Sequence, residues 1–161
     1  MIRAFSRLAE HDARVHLTIV GDGPQAEPLK ELVLELGVRE RVSFAGWVPH
    51  EMVGQYYTTA DVFVHPAIFA EPFGRTILEA MQFQVPLVVS NIGAPPEVVG
   101  DAGLVFQRGN VDDLVQKLEM ICRDKELRQR LSSNCPKVLQ AYEPDELLGR
   151  ILEVYHHVLG E

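Results

Sequence analysis

Short apolar runs too brief to be core helices recur along this chain, LTIV, VFV and LVV, and each is followed by a stretch with helical patterning. Strands that alternate with helices imply a parallel, doubly wound sheet, because a parallel neighbour is reached only through a crossover. Nearly continuous apolar runs, rather than runs apolar at every second position, fit strands covered on both faces. The expected architecture is therefore α/β: a Rossmann-like parallel sheet with helices on both sides.

The order of elements follows from the periodicity and from the chain breakers. Helices are expected at 2–10, 25–36, 50–60, 76–84, 111–122, 126–142 and 145–159, with a short helical turn near Glu97. Strands are expected at 15–20, 42–45, 62–65, 87–90 and 104–106. Asn110 has the chemistry of an N-cap, with Asp112 and Asp113 at the positive end of its helix, and Pro144 suits the start of the last one. In open α/β sheets ligands bind beyond the carboxyl ends of the strands. The loops there are GDGP, GWVPH, HPAIFAEPFG and NIGAPPE, the loops richest in Gly, Pro and isolated polar residues.

Composition narrows the partners. With 161 residues the chain is expected to form one domain with a sizeable core, and its formal net charge of −8 argues against a nucleic acid groove or an anionic membrane surface as the main partner. No apolar run reaches a membrane-spanning length, and MIRAFSRLAE has the pattern of a helix rather than of a signal peptide. Cys122 and Cys135 form no Cys-x-x-Cys and have no His at metal spacing, so free thiols in a reducing cytoplasm are expected.

Two acids stand out in HPAIFAEPFGRTILEAMQFQVPLVVSN: Glu71 just before a helix and Glu79 inside it. The apolar residues Ile77, Leu78, Ala80, Met81, Phe83 and Val85 surround the helix axis, so the helix is expected to be largely buried. A carboxylate there needs a partner. An Arg75–Glu79 pair at i,i+4 contributes only a few tenths of a kcal/mol (about 0.2–0.5), too little to account for it. The alternative is a ligand. Backbone N–H groups of Gly74, Arg75 and Thr76 would leave the first turn unpaired and form an anion site suited to phosphates. Gly74 permits close approach, and Glu79, one turn further in, can accept from both hydroxyls of a ribose diol.

Other signals are weaker. Gly21-Asp22-Gly23-Pro24 with Ala26 satisfies a Gly-x-Gly-x-x-Ala pattern, but the acid expected at the end of the next strand is absent, since VSFAGW ends in Gly and Trp. A nicotinamide site is not expected. His65 reads as a strand end packed beside Pro66 rather than as a metal ligand. Trp47 suits either a half-buried rim position or the lining of a base site.

With these motifs in order, the chain resembles the C-terminal, donor-binding half of a GT-B-fold retaining glycosyltransferase of the glycosyl transferases group one family. The resemblance runs almost from end to end, through LTIVGDGP, VSFAGWVP, ADVFVHPAIFAEPFGRTILEAM, PLVVSNIGAPPEVV and DAGLVF. Its signature is Glu-x7-Glu, Glu71 to Glu79. The resemblance implies that Glu79 binds the nucleotide ribose and that Glu71, the catalytic carboxylate, contacts hydroxyls of the donor sugar. The backbone of Phe73, Gly74, Arg75 and Thr76 would take the pyrophosphate, and the loop at Trp47 and Val48 the base through main-chain groups. Gly21, Gly23 and Gly93 would line the same donor site.

The resemblance also implies hexosyl transfer from a UDP- or GDP-sugar to an acceptor sugar or lipid in carbohydrate biosynthesis, without metal or cofactor. It implies a cytoplasmic setting, peripheral at the inner membrane through another domain, and no nucleic acid partner. An epimerase of the same fold and a non-catalytic α/β nucleotide-binding or interaction module are the alternatives. Two departures bear on this. Gly93-Ala94 stands where the family usually has Gly-Gly, narrowing the room near the donor phosphates. The family's donor domain also begins with a central strand and a loop carrying an Arg and a Lys, whereas MIRAFSRLAE matches the helix after them. The chain is therefore expected to be a fragment, without that strand or the N-terminal acceptor domain, inactive alone and prone to self-association.

Overall fold

The computed structural model describes residues 1–160. In chain order it contains α1 (Ile2–His11), β1 (Leu17–Val20), α2 (Ala26–Glu35), β2 (Val42–Gly46), α3 (His50–Thr59), β3 (Phe63–His65) and α4 (Arg75–Gln82). Then follow β4 (Leu87–Ser90), α5 (Pro95–Val99), β5 (Gly103–Phe106), α6 (Val111–Arg123), α7 (Lys125–Gln140) and α8 (Pro144–Leu159). Each expected element is present. The alternation is real, and every pairing between named strands is parallel.

The strands lie in two sheets, β1-β2 and β3-β4-β5, and no strand joins them among the described residues. Within each sheet the strands pair side by side in chain order, each reached from the last through a crossover. Coverage is less complete than continuous apolar runs imply. Only β4 is buried at all four positions. β1 alternates between half-buried and exposed, so Thr18 and Val20 face outward. β1 has only β2 as a paired neighbour, and one of its faces lacks a covering helix.

Three apolar clusters organise the core. On one face of the larger sheet, Leu87 and Val89 pack with Tyr57, Ile77, Met81 and Cys135 from α3, α4 and α7. On the other face, Val88 and Phe106 meet Ala4, Leu8, Leu118 and Ile121 from α1 and α6. The third gathers Phe5, Ala9, Val33 and Val42 around the smaller sheet. Helix α1 thus packs into both of the last two clusters, a contact reinforced by an Arg7–Asp112 ion pair between α1 and α6.

One helix departs from expectation. α4 was expected through Gln84 with apolar contacts all round. It ends at Gln82 because Gln84 takes a left-handed backbone, φ 55°, so that Val85 N–H bonds to Ala80 C=O and Gln84 N–H to Met81 C=O. That C-terminal motif usually has Gly or Asn at its left-handed residue, and the sequence offers neither. The helix buries one face, Ile77, Ala80 and Met81, and leaves Phe83 exposed. α8 buries nothing: Leu147, Leu148, Ile151, Leu152, Tyr155, Val158 and Leu159 are 37% to 74% exposed. Asn110 caps α6 as expected, accepting from Asp113 N–H at 3.0 Å.

Both cysteines are free thiols, Cys135 fully buried and Cys122 half-buried. Burial pushes the Cys135 thiol up to about 11.

Candidate donor site at the head of α4

The site is built where β3 ends. His65 closes the strand, the loop from Pro66 to Phe73 crosses the sheet end, and Gly74 opens α4 as its N-cap. Gly74 has φ 85°, and a Cβ there would sit 2.9 Å from Ile77 Cδ1. Only glycine fits this entry into the helix. No side chain caps α4, and Ile77 N–H bonds back to the Gly74 carbonyl at 2.9 Å. The N–H groups of Arg75 and Thr76 precede that bond and have no intrahelical acceptor, so a positive helix end meets solvent. Phe73 packs edge-on against Tyr142, ring centroids 5.5 Å apart, which fixes the residue before the turn.

Glu79 is half-buried, and its carboxylate already has one donor. The Tyr57 hydroxyl donates to Glu79 Oε2 at 3.2 Å. Tyr57 is buried, stacked on Phe83 and edge-on to Phe63, with centroids 5.6 Å away in each case. Burial, then the Glu79 charge and the hydrogen bond to it, raise the Tyr57 pKa above its ordinary value. The hydroxyl therefore stays protonated and donating. No Arg75–Glu79 ion pair forms among the described residues, and Arg75 is exposed.

Glu71 is held from two sides. Its backbone carbonyl accepts from Ala94 N–H at 3.0 Å, and its Oε2 lies 3.2 Å from His65 Nε2. Gly93, at φ 66°, comes so close that a Cβ there would lie 2.5 Å from Glu71 O and 2.7 Å from Glu71 N. Gly93 thus contacts the Glu71 backbone directly, a tighter constraint than the phosphate clearance anticipated from the sequence. His65 is 8% exposed and is more than a strand terminus packed on Pro66, because its ring reaches the Glu71 carboxylate.

The other expected residues lie in separate loops. Gly21, at φ 127°, and Gly46, at φ 68°, are bridged between the ends of β1 and β2, with Gly21 N–H bonded to Gly46 C=O at 2.8 Å. Gly23 N–H bonds to the Asp22 carboxylate at 2.7 Å, a local turn that leads toward α2. Trp47 follows directly and is 74% exposed, so it is not the half-buried rim residue that was one reading, and Val48 beside it is half-buried. Tyr57 was missed from the sequence: YY at 56–57 gives no sign of which ring turns inward. The role of His65 was missed as well, although its place six residues before Glu71 at a strand end was a usable signal.

Comparison with known proteins places the chain in a family and a fold. The model of the family described as glycosyl transferases group 1 matches residues 1–138. An uncharacterized glycosyltransferase of Methanocaldococcus jannaschii is 33% identical over 159 residues, covering 96% of this chain and 40% of that protein. Among solved structures, the Anabaena protein HepE in complex with UDP-glucose superposes with a TM-score of 0.83 at 25% identity, covering 97% of this chain and 44% of HepE. The C-terminal domain of a glycosyl transferase group 1 family protein from Francisella tularensis superposes at 0.76 and 22% identity, covering 87% and 75%, a likeness of fold alone. The chain spans less than half the length of the curated relatives it matches.

Proposed function

Because the chain belongs to the glycosyl transferases group 1 family, we propose that it is the donor half of a glycosyltransferase that retains anomeric configuration and takes a nucleotide-diphospho-sugar. The observation that carries this reading is the arrangement at the head of α4. An uncapped helix N-terminus is flanked by two carboxylates, each fixed by a partner of its own. In this reading the pyrophosphate meets the N–H groups of Gly74, Arg75 and Thr76. Glu79, oriented by Tyr57, accepts from the ribose, and Glu71 accepts from hydroxyls of the sugar.

Catalysis then rests on charge. As the bond from the anomeric carbon to the diphosphate breaks, negative charge grows on the leaving phosphate, where the helix end is already oriented to receive it. The base meets main-chain groups at Trp47 and Val48. The acceptor, a sugar or a lipid, is held by a part of the protein outside these residues, and hexose is the transferred group. The resemblance further implies a metal-independent reaction, so EDTA leaves turnover by the full-length protein unchanged.

Calorimetry of the chain with UDP and with GDP tests the reading. Binding of at least one, weakened by Glu79→Gln, is the expected result. No binding of either nucleotide would overturn it.

A further inference from the structure

Two buried side-chain atoms have no hydrogen-bond partner among the described residues, His65 Nδ1 and Ser90 Oγ. They belong to different faces of the sheet. His65 is in register with Val89, so Ser90, the next residue along β4, points to the opposite side. His65 therefore has its own environment: Phe63 near one side of the ring, at 6.5 Å between centroids, and Glu71 Oε2 at Nε2. A buried N–H with no acceptor costs more than a bare ring nitrogen left without a donor. The unpartnered Nδ1 thus favours the tautomer with its hydrogen on Nε2, which then donates to Glu71.

We propose that His65 is a positioning residue for sugar recognition: its Nε2–H holds Glu71 Oε2 and leaves Oε1 to accept from hydroxyls of the donor sugar. This rests on the reading of the site as a nucleotide-sugar site and adds what sets the aim of Glu71. A carboxylate at the mouth of a loop rotates freely about its last torsion unless one oxygen is tied. The Gly93–Ala94 turn fixes the Glu71 backbone, and His65 fixes its far end. Between them both ends of the side chain are set before a sugar arrives. That is preorganisation in the sense that raises affinity and orientation together.

The test has two arms on the same chain. In the first, ¹⁵N-histidine NMR reads the tautomer directly, with the His65 signals assigned by their loss in His65→Phe. Wild type shows a protonated Nε2 and a bare Nδ1, and Glu71→Ala moves His65 toward a mixed tautomer. A proton on Nδ1 in the wild type, or no response to Glu71→Ala, would overturn the proposal.

In the second arm, UDP and UDP-glucose binding are compared by calorimetry. His65→Phe, which keeps a ring but has no donor, should weaken UDP-glucose roughly five- to tenfold while leaving UDP unchanged. His65→Gln, which restores an N–H, should recover most of the difference. Equal losses for both ligands would mark His65 as merely structural, and unchanged UDP-glucose affinity in His65→Phe would refute the positioning role alone. A wild-type chain that binds neither UDP nor GDP would instead remove the nucleotide-sugar reading beneath it; where GDP is the nucleotide bound, GDP and GDP-mannose take the place of UDP and UDP-glucose, with the same outcomes.

Discussion

Tyr57 donates to Glu79 Oε2 across 3.2 Å, joining the last turns of α3 to the middle of α4 over twenty-two positions of sequence (a separation of 22). A single donor leaves a carboxylate with most of its acceptor capacity free. Tyr57 therefore orients Glu79 without occupying it, and the two residues should not be equivalent in mutation. Glu79→Gln removes a charged acceptor and should weaken UDP or GDP binding by roughly 1.5–3 kcal/mol, whereas Tyr57→Phe should cost about 1 kcal/mol. Calorimetry on the two variants checks both values, and the larger loss must be that of Glu79→Gln.

The pH dependence of stability follows from the same phenol. Tyr57 holds its proton more tightly folded than unfolded, so its contribution is complete below the ordinary tyrosine value of 10.0 and is lost as pH rises from there through the raised folded value. Cys135 behaves alike: burial moves its thiol from 9.0 to about 11, and its contribution fades between those values. Urea midpoints measured at rising pH should therefore decline from pH 9 upward, as the Cys135 value sets. Tyr57→Phe should flatten the upper part of that decline.

Gly93→Ala should damage the site more than its single methyl suggests. The new Cβ would fall 2.5 Å from Glu71 O, at a backbone angle that non-glycine residues rarely adopt. Backbone strain of this kind costs about 1–3 kcal/mol. Thermal unfolding should fall accordingly, and sugar transfer by the full-length protein should drop with it because Glu71 is displaced. Asn110→Ala, which removes the α6 cap, should cost about 1 kcal/mol of stability in the same measurement.

The 161-residue chain alone should transfer no sugar, since the acceptor side of the cleft lies outside it in the proposed reading. Incubation with UDP-glucose or GDP-mannose and a panel of acceptors, followed by mass spectrometry, checks this. The chain should also self-associate through α8, whose apolar stripe has no cover. Ile151→Glu with Tyr155→Glu should shift sedimentation toward the monomer.

Much of the fold is legible in the sequence. The element order follows from period and chain breakers, because VFV and LVV are too short for core helices and the helical stretches between them are long enough to be helices. The Asn110 cap follows from one residue, since Asn before a helical pattern is a strong N-cap. What failed depended on tertiary context. The end of α4 was hidden because Gln84, not Gly, takes the left-handed position. The open face of β1 is hidden because LTIV, with three of its four residues apolar, does not state how many neighbours cover it. Of the site, Glu71, Gly74 and Glu79 were readable from spacing within one loop and one helix. Tyr57 is not, because it meets its acid across two separate helices whose approach the local sequence does not encode, whereas His65, six residues before Glu71 at a strand end, leaves a local signal.

Helix α1 gives Ala4 and Leu8 to one cluster and Phe5 and Ala9 to another, neighbouring residues about 100° apart on its surface. It is the shared wall between two plates: the loops after β1 and β2 belong to one, the head of α4 to the other. A bulkier residue on one side of the wall changes the angle between the plates without touching any ligand. Ala4→Leu should therefore loosen nucleotide binding from a distance while Phe73 to Glu79 keep their local geometry. Amide shifts within that segment, measured beside the affinity, would separate the change of angle from damage to the segment itself.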